Sequence, residues 1–110
     1  MVLRMIAGAV VAATAFPVFA GELIPVPVNL WDRPRSGQIV LEMPEVKQAV
    51  NACLAQPGTR LIIHHAAGQE PLLLAEELRA WLVALAISAE QVGLRNDLTS
   101  GDPLKIEVVR

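Results

Sequence analysis

The sequence predicts an α+β fold, a two-layer sandwich in which two helices pack on one face of a small mixed β-sheet. The apolar spacing changes between the alternation of strands and the period of helices, which gives the order β-α-β-α-β-β. The chain has 110 residues, a length typical of one domain. Its single cysteine cannot form an internal disulfide, so an apolar core is expected to stabilise the fold.

Residues 1–20 are predicted to be a secretory signal peptide. Arg4 is their only charged residue, a short apolar run follows it, and the small residue Ala20 stands at the expected cleavage site. A bilayer-spanning helix needs about 20 apolar residues, but Pro17 interrupts this run earlier. We therefore expect cleavage after Ala20, a periplasmic or secreted protein, and no transmembrane segment in the chain that remains.

The charged residues are mixed along the chain, with 9 Lys and Arg against 11 Asp and Glu. A nucleic-acid-binding protein is expected to carry a basic patch or stripe, and anionic lipid surfaces attract clustered Lys and Arg. The sequence has no such cluster. Neither nucleic acid nor an anionic lipid surface is therefore an expected partner.

Residues 21–37 are predicted to be a proline-rich extended arm. Prolines exclude a helix here and permit only extended or edge-strand structure. Ile24 and Val26 alternate with Pro25 and Pro27, which suits an edge strand or an arm lying on the domain.

The domain itself is predicted to span residues 38–110. Its first strand is expected at Ile39–Val40–Leu41. The first helix is expected to begin at Pro44 and to end before Gln56-Pro57-Gly58. One stripe of this helix is apolar: Val46, Ala49, Val50, Cys53 and Leu54. Because Cys53 lies on the stripe, we expect a buried core residue rather than a reactive thiol.

A short buried strand is predicted at 59–64, followed by the second helix at 72–87. The main apolar face of that helix consists of Leu74, Leu78, Trp81, Leu82 and Leu85. Three further apolar residues lie roughly opposite: Ala80, Val83 and Ile87. Three interpretations are open: a second layer of the fold covers these side chains, a partner protein covers them, or they are exposed apolar groups that the fold tolerates. Two last strands are predicted at 92–95 and 104–109.

No residue pattern in the chain indicates catalysis or a cofactor. His64 and His65 are neighbours on a predicted strand, so they point to opposite faces and do not suit one metal ion. The serines lie in no recognisable nucleophile motif, and Gly-rich phosphate loops are absent. We expect a non-catalytic protein without a metal or cofactor.

Three segments carry a resemblance to a known family: Arg60–His64 (RLIIH), Ala86–Val92 (AISAEQV) and Lys105–Val109 (KIEVV). Together with the order of elements, they resemble the peptidoglycan-associating C-terminal domain of outer-membrane protein A, which Pal and MotB proteins share. The resemblance covers roughly residues 38–110.

The resemblance implies a ligand site in which an Asp and an Arg hold the charged ends of a diaminopimelate residue. Ala67 stands at the position of that Asp. Arg79-Ala80 matches the family motif that supplies the Arg. If the alignment is instead anchored at the end of this helix, Leu74-Ala75 takes the position of the motif, and no Arg stands there.

Two binding functions follow as expectations. One is an OmpA-like envelope module that binds peptidoglycan, with His65, Gln69 and Arg79 replacing the usual pair. The other is an interaction component of an envelope secretion or conjugation assembly, which docks a protein through Ala80, Val83 and Ile87 or through the arm.

Overall fold

The structure is a computed structural model that describes residues 22–110. The predicted signal peptide and its cleavage site lie outside these residues. The elements are β1 (Glu22–Pro25), α1 (Gly37–Glu42), α2 (Pro44–Ala55), β2 (Arg60–Ala66), α3 (Gln69–Ala84), β3 (Val92–Leu98) and β4 (Lys105–Val109). Short 3-10 helices span Val28–Asp32 and Ala89–Gln91. These elements confirm the predicted α+β class.

The four strands form one mixed sheet in the order β1-β4-β2-β3. Strand β4 is antiparallel to both of its neighbours, whereas β2 and β3 are parallel. Parallel strands need a crossover connection, and α3 supplies it between β2 and β3.

Alternation along the strands separates the two faces of the sheet. Leu61 and Ile63 of β2 and Ile106 and Val108 of β4 are fully buried in one core with residues of α2 and α3. The intervening residues lie on the opposite face, which remains partly exposed. The helices and the sheet therefore form the two expected layers.

The predicted strand at Ile39–Leu41 is wrong, because these residues lie in α1. Ser36 caps this helix, and its hydroxyl oxygen accepts a hydrogen bond from the Ile39 N–H at 3.2 Å. Val40 is buried on the inner side of α1. The cap and this burial outweigh the strand preference of the β-branched residues.

The arm packs on the rest of the fold, and its 3-10 helix at Val28–Asp32 departs from the expectation that the prolines exclude a helix here. The alternation of Ile24 and Val26 with prolines predicted an edge strand or an arm lying on the domain. Strand β1 is such an edge strand, and it pairs with β4. The Val26 N–H donates to the Leu104 carbonyl at 2.9 Å. Ile24, Val26 and Leu30 are buried in the same core as the helices.

The first long helix, α2, has the predicted start and a buried stripe that includes Cys53. Burial raises the pKa of the Cys53 thiol, which disfavours the nucleophilic thiolate. Leu54 is 63% exposed and does not belong to the stripe.

The second long helix, α3, runs from Gln69 to Ala84 rather than over 72–87. Ile87 lies beyond its end and is 2% exposed, so the core of the fold covers this residue, which was one of the alternatives for the set with Ala80 and Val83. The Ile87 N–H donates to the Leu82 carbonyl, and the Ala86 N–H donates to the Val83 carbonyl. This Schellman motif directs Ile87 back into the core.

Ala86→Gly is expected to raise the free energy of unfolding by about 1 kcal/mol. Ala86 has a φ of 106°, a conformation that glycine adopts without a Cβ penalty. Urea denaturation measures the change. Ala84→Gly, inside the last helical turn, is the control and is expected to destabilise the protein. Equal effects of the two substitutions would contradict the strain at Ala86.

Candidate functional site

The candidate ligand site is a cavity of about 280 Å³, which we name the Trp31 cavity. It lies where the end of β2, the start of α3, the first 3-10 helix and the loop between β3 and β4 meet. Its apolar lining consists of Val28, Trp31, Ala66, Pro71, Leu74, Pro103 and Leu104. Such a wall suits a ligand with an apolar portion.

The charged residues that line the Trp31 cavity are Glu70 and Asp102. Glu70 lies in the first turn of α3, where the helix dipole favours a negative charge. Asp102 is positioned by a turn in which its carboxylate accepts a hydrogen bond from the Thr99 N–H at 3.2 Å. The arrangement favours a ligand that combines an apolar portion with a cationic group.

The residues that the sequence proposed as ligands are placed elsewhere. His65 is buried, and its Nδ1 lies 2.9 Å from the Ala66 carbonyl oxygen. Gln69 is exposed at the first position of α3. Neither residue lines the Trp31 cavity.

Arg79 is occupied within the chain. Its Nε donates to the Val92 carbonyl at 2.9 Å and its Nη2 donates to the Ala89 carbonyl at 2.8 Å. These bonds tie α3 to the start of β3, and Arg79 does not line the Trp31 cavity. The role that the structure shows for Arg79 is therefore the positioning of two backbone segments.

The sequence indicates neither Glu70 nor Asp102 as a ligand-binding residue. The Thr-Ser-Gly-Asp-Pro run at 99–103 indicates a turn. Nothing local indicates that this turn lies beside the start of α3. That proximity comes from the pairing of β4 between β1 and β2.

The proposed docking residues on α3 divide into two groups. Ala80 is exposed and Val83 is 37% exposed, so both are accessible to a partner. Ile87 is not accessible because it is buried in the core.

An ion pair joins the arm to α3. The Arg35 guanidinium donates to both carboxylate oxygens of Glu77 and lies 5.2 Å from the centre of the Trp31 ring. Trp81 Nε1 also donates to Glu77, at 3.0 Å. The hydrogen bond from Arg35 lowers the pKa of Glu77 and raises the pKa of Arg35. Arg35 also donates to the Trp31 carbonyl at 3.3 Å, which connects the pair to the 3-10 segment in the wall of the Trp31 cavity.

Acid is expected to destabilise the protein partly through Glu77. Because its pKa in the folded state lies below the ordinary 4.5, its stabilising contribution is present above that value and is lost as the pH falls through the lower folded-state value. The urea midpoint, followed by tryptophan fluorescence, is expected to fall less between about pH 6 and about pH 3 in Glu77→Gln than in the unchanged protein. Glu76→Gln is the matched control, and an equal fall in both variants would contradict the assignment.

A second polar cluster lies on the open face of the sheet. His64 Nδ1 is 2.7 Å from Asp97 Oδ1, and His64 Nε2 is 2.8 Å from Glu107 Oε1. The His64 ring thus links β2 to β3 and β4.

No helix among residues 22–110 is long and apolar enough to cross a membrane. No group of three or more His, Cys, Asp or Glu side chains within the same residues is arranged to hold a metal ion.

Comparison with known proteins finds no family model that matches the chain, and no match among curated proteins or solved structures.

Proposed function

We propose that the protein is an exported, non-catalytic, OmpA-like binding module of the cell envelope that binds peptidoglycan through the Trp31 cavity. The observation that carries the proposal is an apolar cavity with two carboxylates, Glu70 and Asp102, beside Ala66 at the end of β2. The predicted signal peptide and the resemblance of 38–110 to the peptidoglycan-associating family support it further.

The charges of the cavity favour an amino group of the peptidoglycan peptide as the bound group. In the resembling family an Asp pairs with the ammonium of diaminopimelate, and here Ala67 takes its position. Glu70 and Asp102 offer carboxylates from other elements. Charge-assisted hydrogen bonds of this kind contribute about 1.5–3 kcal/mol each.

In the resembling family an Arg pairs with the ligand's carboxylate, and the residues that line the Trp31 cavity supply no replacement for this Arg. Arg79 donates to the Val92 and Ala89 carbonyls, and no basic residue is among those that line the cavity. We therefore propose that recognition depends on the ammonium rather than on a clamp that holds both charged ends.

Sedimentation with purified sacculi tests this function. The unchanged protein is expected to co-sediment, and the double substitution Glu70→Gln with Asp102→Asn is expected to weaken binding by about tenfold or more. Glu76→Gln, on the same helix but outside the cavity lining, is expected to bind normally. Arg79→Ala distinguishes an ammonium site, in which binding persists, from a two-charge clamp, in which it is lost.

Absence of co-sedimentation of the unchanged protein at every salt concentration would rule out the peptidoglycan function. Equal binding by the unchanged protein and the double variant would instead show that another surface binds the sacculus. Circular dichroism of each variant verifies that it is folded.

The alternative is an interaction component of an envelope secretion or conjugation assembly. The exposure of Ala80 and Val83 on α3 favours this function. Because apolar side chains are buried at such interfaces, Val83→Glu is expected to abolish a concentration-dependent association or the recovery of a co-purifying envelope protein. Retention of that association in Val83→Glu would contradict this interface.

A further inference from the structure

A second cavity, of about 380 Å³, is lined by other residues of the arm. Segment 27–33 forms one wall, and the junction between α1 and α2 forms the other. We name it the Arg33 cavity. Its volume falls in the range of about 300–1,000 Å³ that is common for small-molecule sites, and none of its lining residues belongs to the Trp31 cavity.

Opposite charges line the Arg33 cavity without an ion pair between them. Arg33 lines one wall, and Glu42 and Glu45 line the other. The salt bridges within residues 22–110 include none between Arg33 and either carboxylate. The cavity therefore offers a cation and two anions to a ligand at the same time.

Two further groups at this cavity lack hydrogen-bond partners within the described structure. Glu45 Oε1 is buried and accepts no hydrogen bond, which is uncommon for a buried polar atom. No side chain caps the N-terminus of the 12-residue helix α2, which begins at Pro44 in the cavity wall. The N–H donors of an uncapped helix start favour an anion, and Glu45 already places one negative charge in this first turn.

We propose that the Arg33 cavity binds a small zwitterion with an amino and a carboxylate group, such as a free amino acid. The ammonium pairs with Glu42 and Glu45, and the carboxylate pairs with Arg33 and the start of α2. Ile39 and Met43 form the apolar wall against which an aliphatic side chain packs. This site is independent of the proposed peptidoglycan function because it uses other residues.

Nuclear magnetic resonance titration of the full chain with three related compounds tests the proposal. L-leucine carries both charges, leucinamide lacks the carboxylate, and N-acetylleucine lacks the ammonium. Leucine is expected to shift the backbone amide signals around Met43 and Glu45 and to bind about tenfold or more tightly than either relative.

Variants assign the two charges of the ligand. Arg33→Gln is expected to reduce leucine affinity to that of leucinamide, and Glu45→Gln is expected to reduce it toward that of N-acetylleucine. Glu70→Gln, in the Trp31 cavity, is the control and is expected to leave leucine binding unchanged. Arg33 is exposed, so Arg33→Gln still tests the site if Glu45→Gln does not fold.

Several results would overturn the proposal. They are equal affinity for the three compounds, no shifts up to about 10 mM leucine, or shifts confined to residues outside the cavity. Loss of sacculus binding by the Trp31-cavity variants with retained leucine binding would separate the two sites.

Discussion

Leu30→Ala is expected to lower the free energy of unfolding by about 3 kcal/mol. Leu30 lies in the 3-10 helix of the arm and is 0% exposed, and it packs in the same cluster as the core residues of the sheet and helices. Removing a fully buried leucine side chain forfeits its burial and leaves a cavity. Urea denaturation gives the change in stability.

The matched control is Val28→Ala, two residues earlier in the same 3-10 helix. Val28 is 63% exposed, so its truncation is expected to change stability by less than about 0.5 kcal/mol. Similar small effects of both substitutions would show that the arm does not contribute to the cooperative core. A large effect of Leu30→Ala alone would establish that the folding unit includes the arm.

His64→Leu is also expected to lower the free energy of unfolding by about 3 kcal/mol. The His64 side chain is 9% exposed, and its ring nitrogens contact Asp97 and Glu107. Leucine removes both hydrogen bonds and leaves the Glu107 carboxylate, only 16% exposed, without its partner. A buried charge without a partner is costly.

A double-mutant cycle separates this loss from simple packing changes. Glu107→Gln is expected to destabilise the unchanged protein but to restore part of the stability of His64→Leu, because it removes the unpaired charge. Asp97→Asn is expected to have a smaller effect because the Asp97 side chain is 42% exposed. Additive effects of His64→Leu and Glu107→Gln would refute the coupling.

The comparison of Ile39–Leu41 with Ile24 and Val26 shows the limit of local patterns. Both segments contain β-branched residues, but the first forms α1 and the second belongs to the arm that supplies β1. Only the second obtains hydrogen bonds from the segment that contains β4, which is about 80 residues away along the chain. A strand depends on such a partner, which its own sequence does not specify.

The candidate site shows the same limit. The resemblance directed attention to His65, Gln69 and Arg79, yet the charged residues of the Trp31 cavity are Glu70 and Asp102. Arg79 has the residue type expected of a ligand, but backbone carbonyls occupy its guanidinium. Residue type and spacing do not show whether a donor has already been satisfied inside the fold.

Apolar periodicity by itself determined the α+β class, the existence of the two long helices and the burial of Cys53, because these features depend on residues a few positions apart. Only the tertiary structure decided that the arm supplies the edge strand, that Ile87 turns inward, and that acidic residues from two distant segments line one cavity with Ala66. These features depend on contacts between segments far apart in the chain, and the packing of the whole domain selects those contacts.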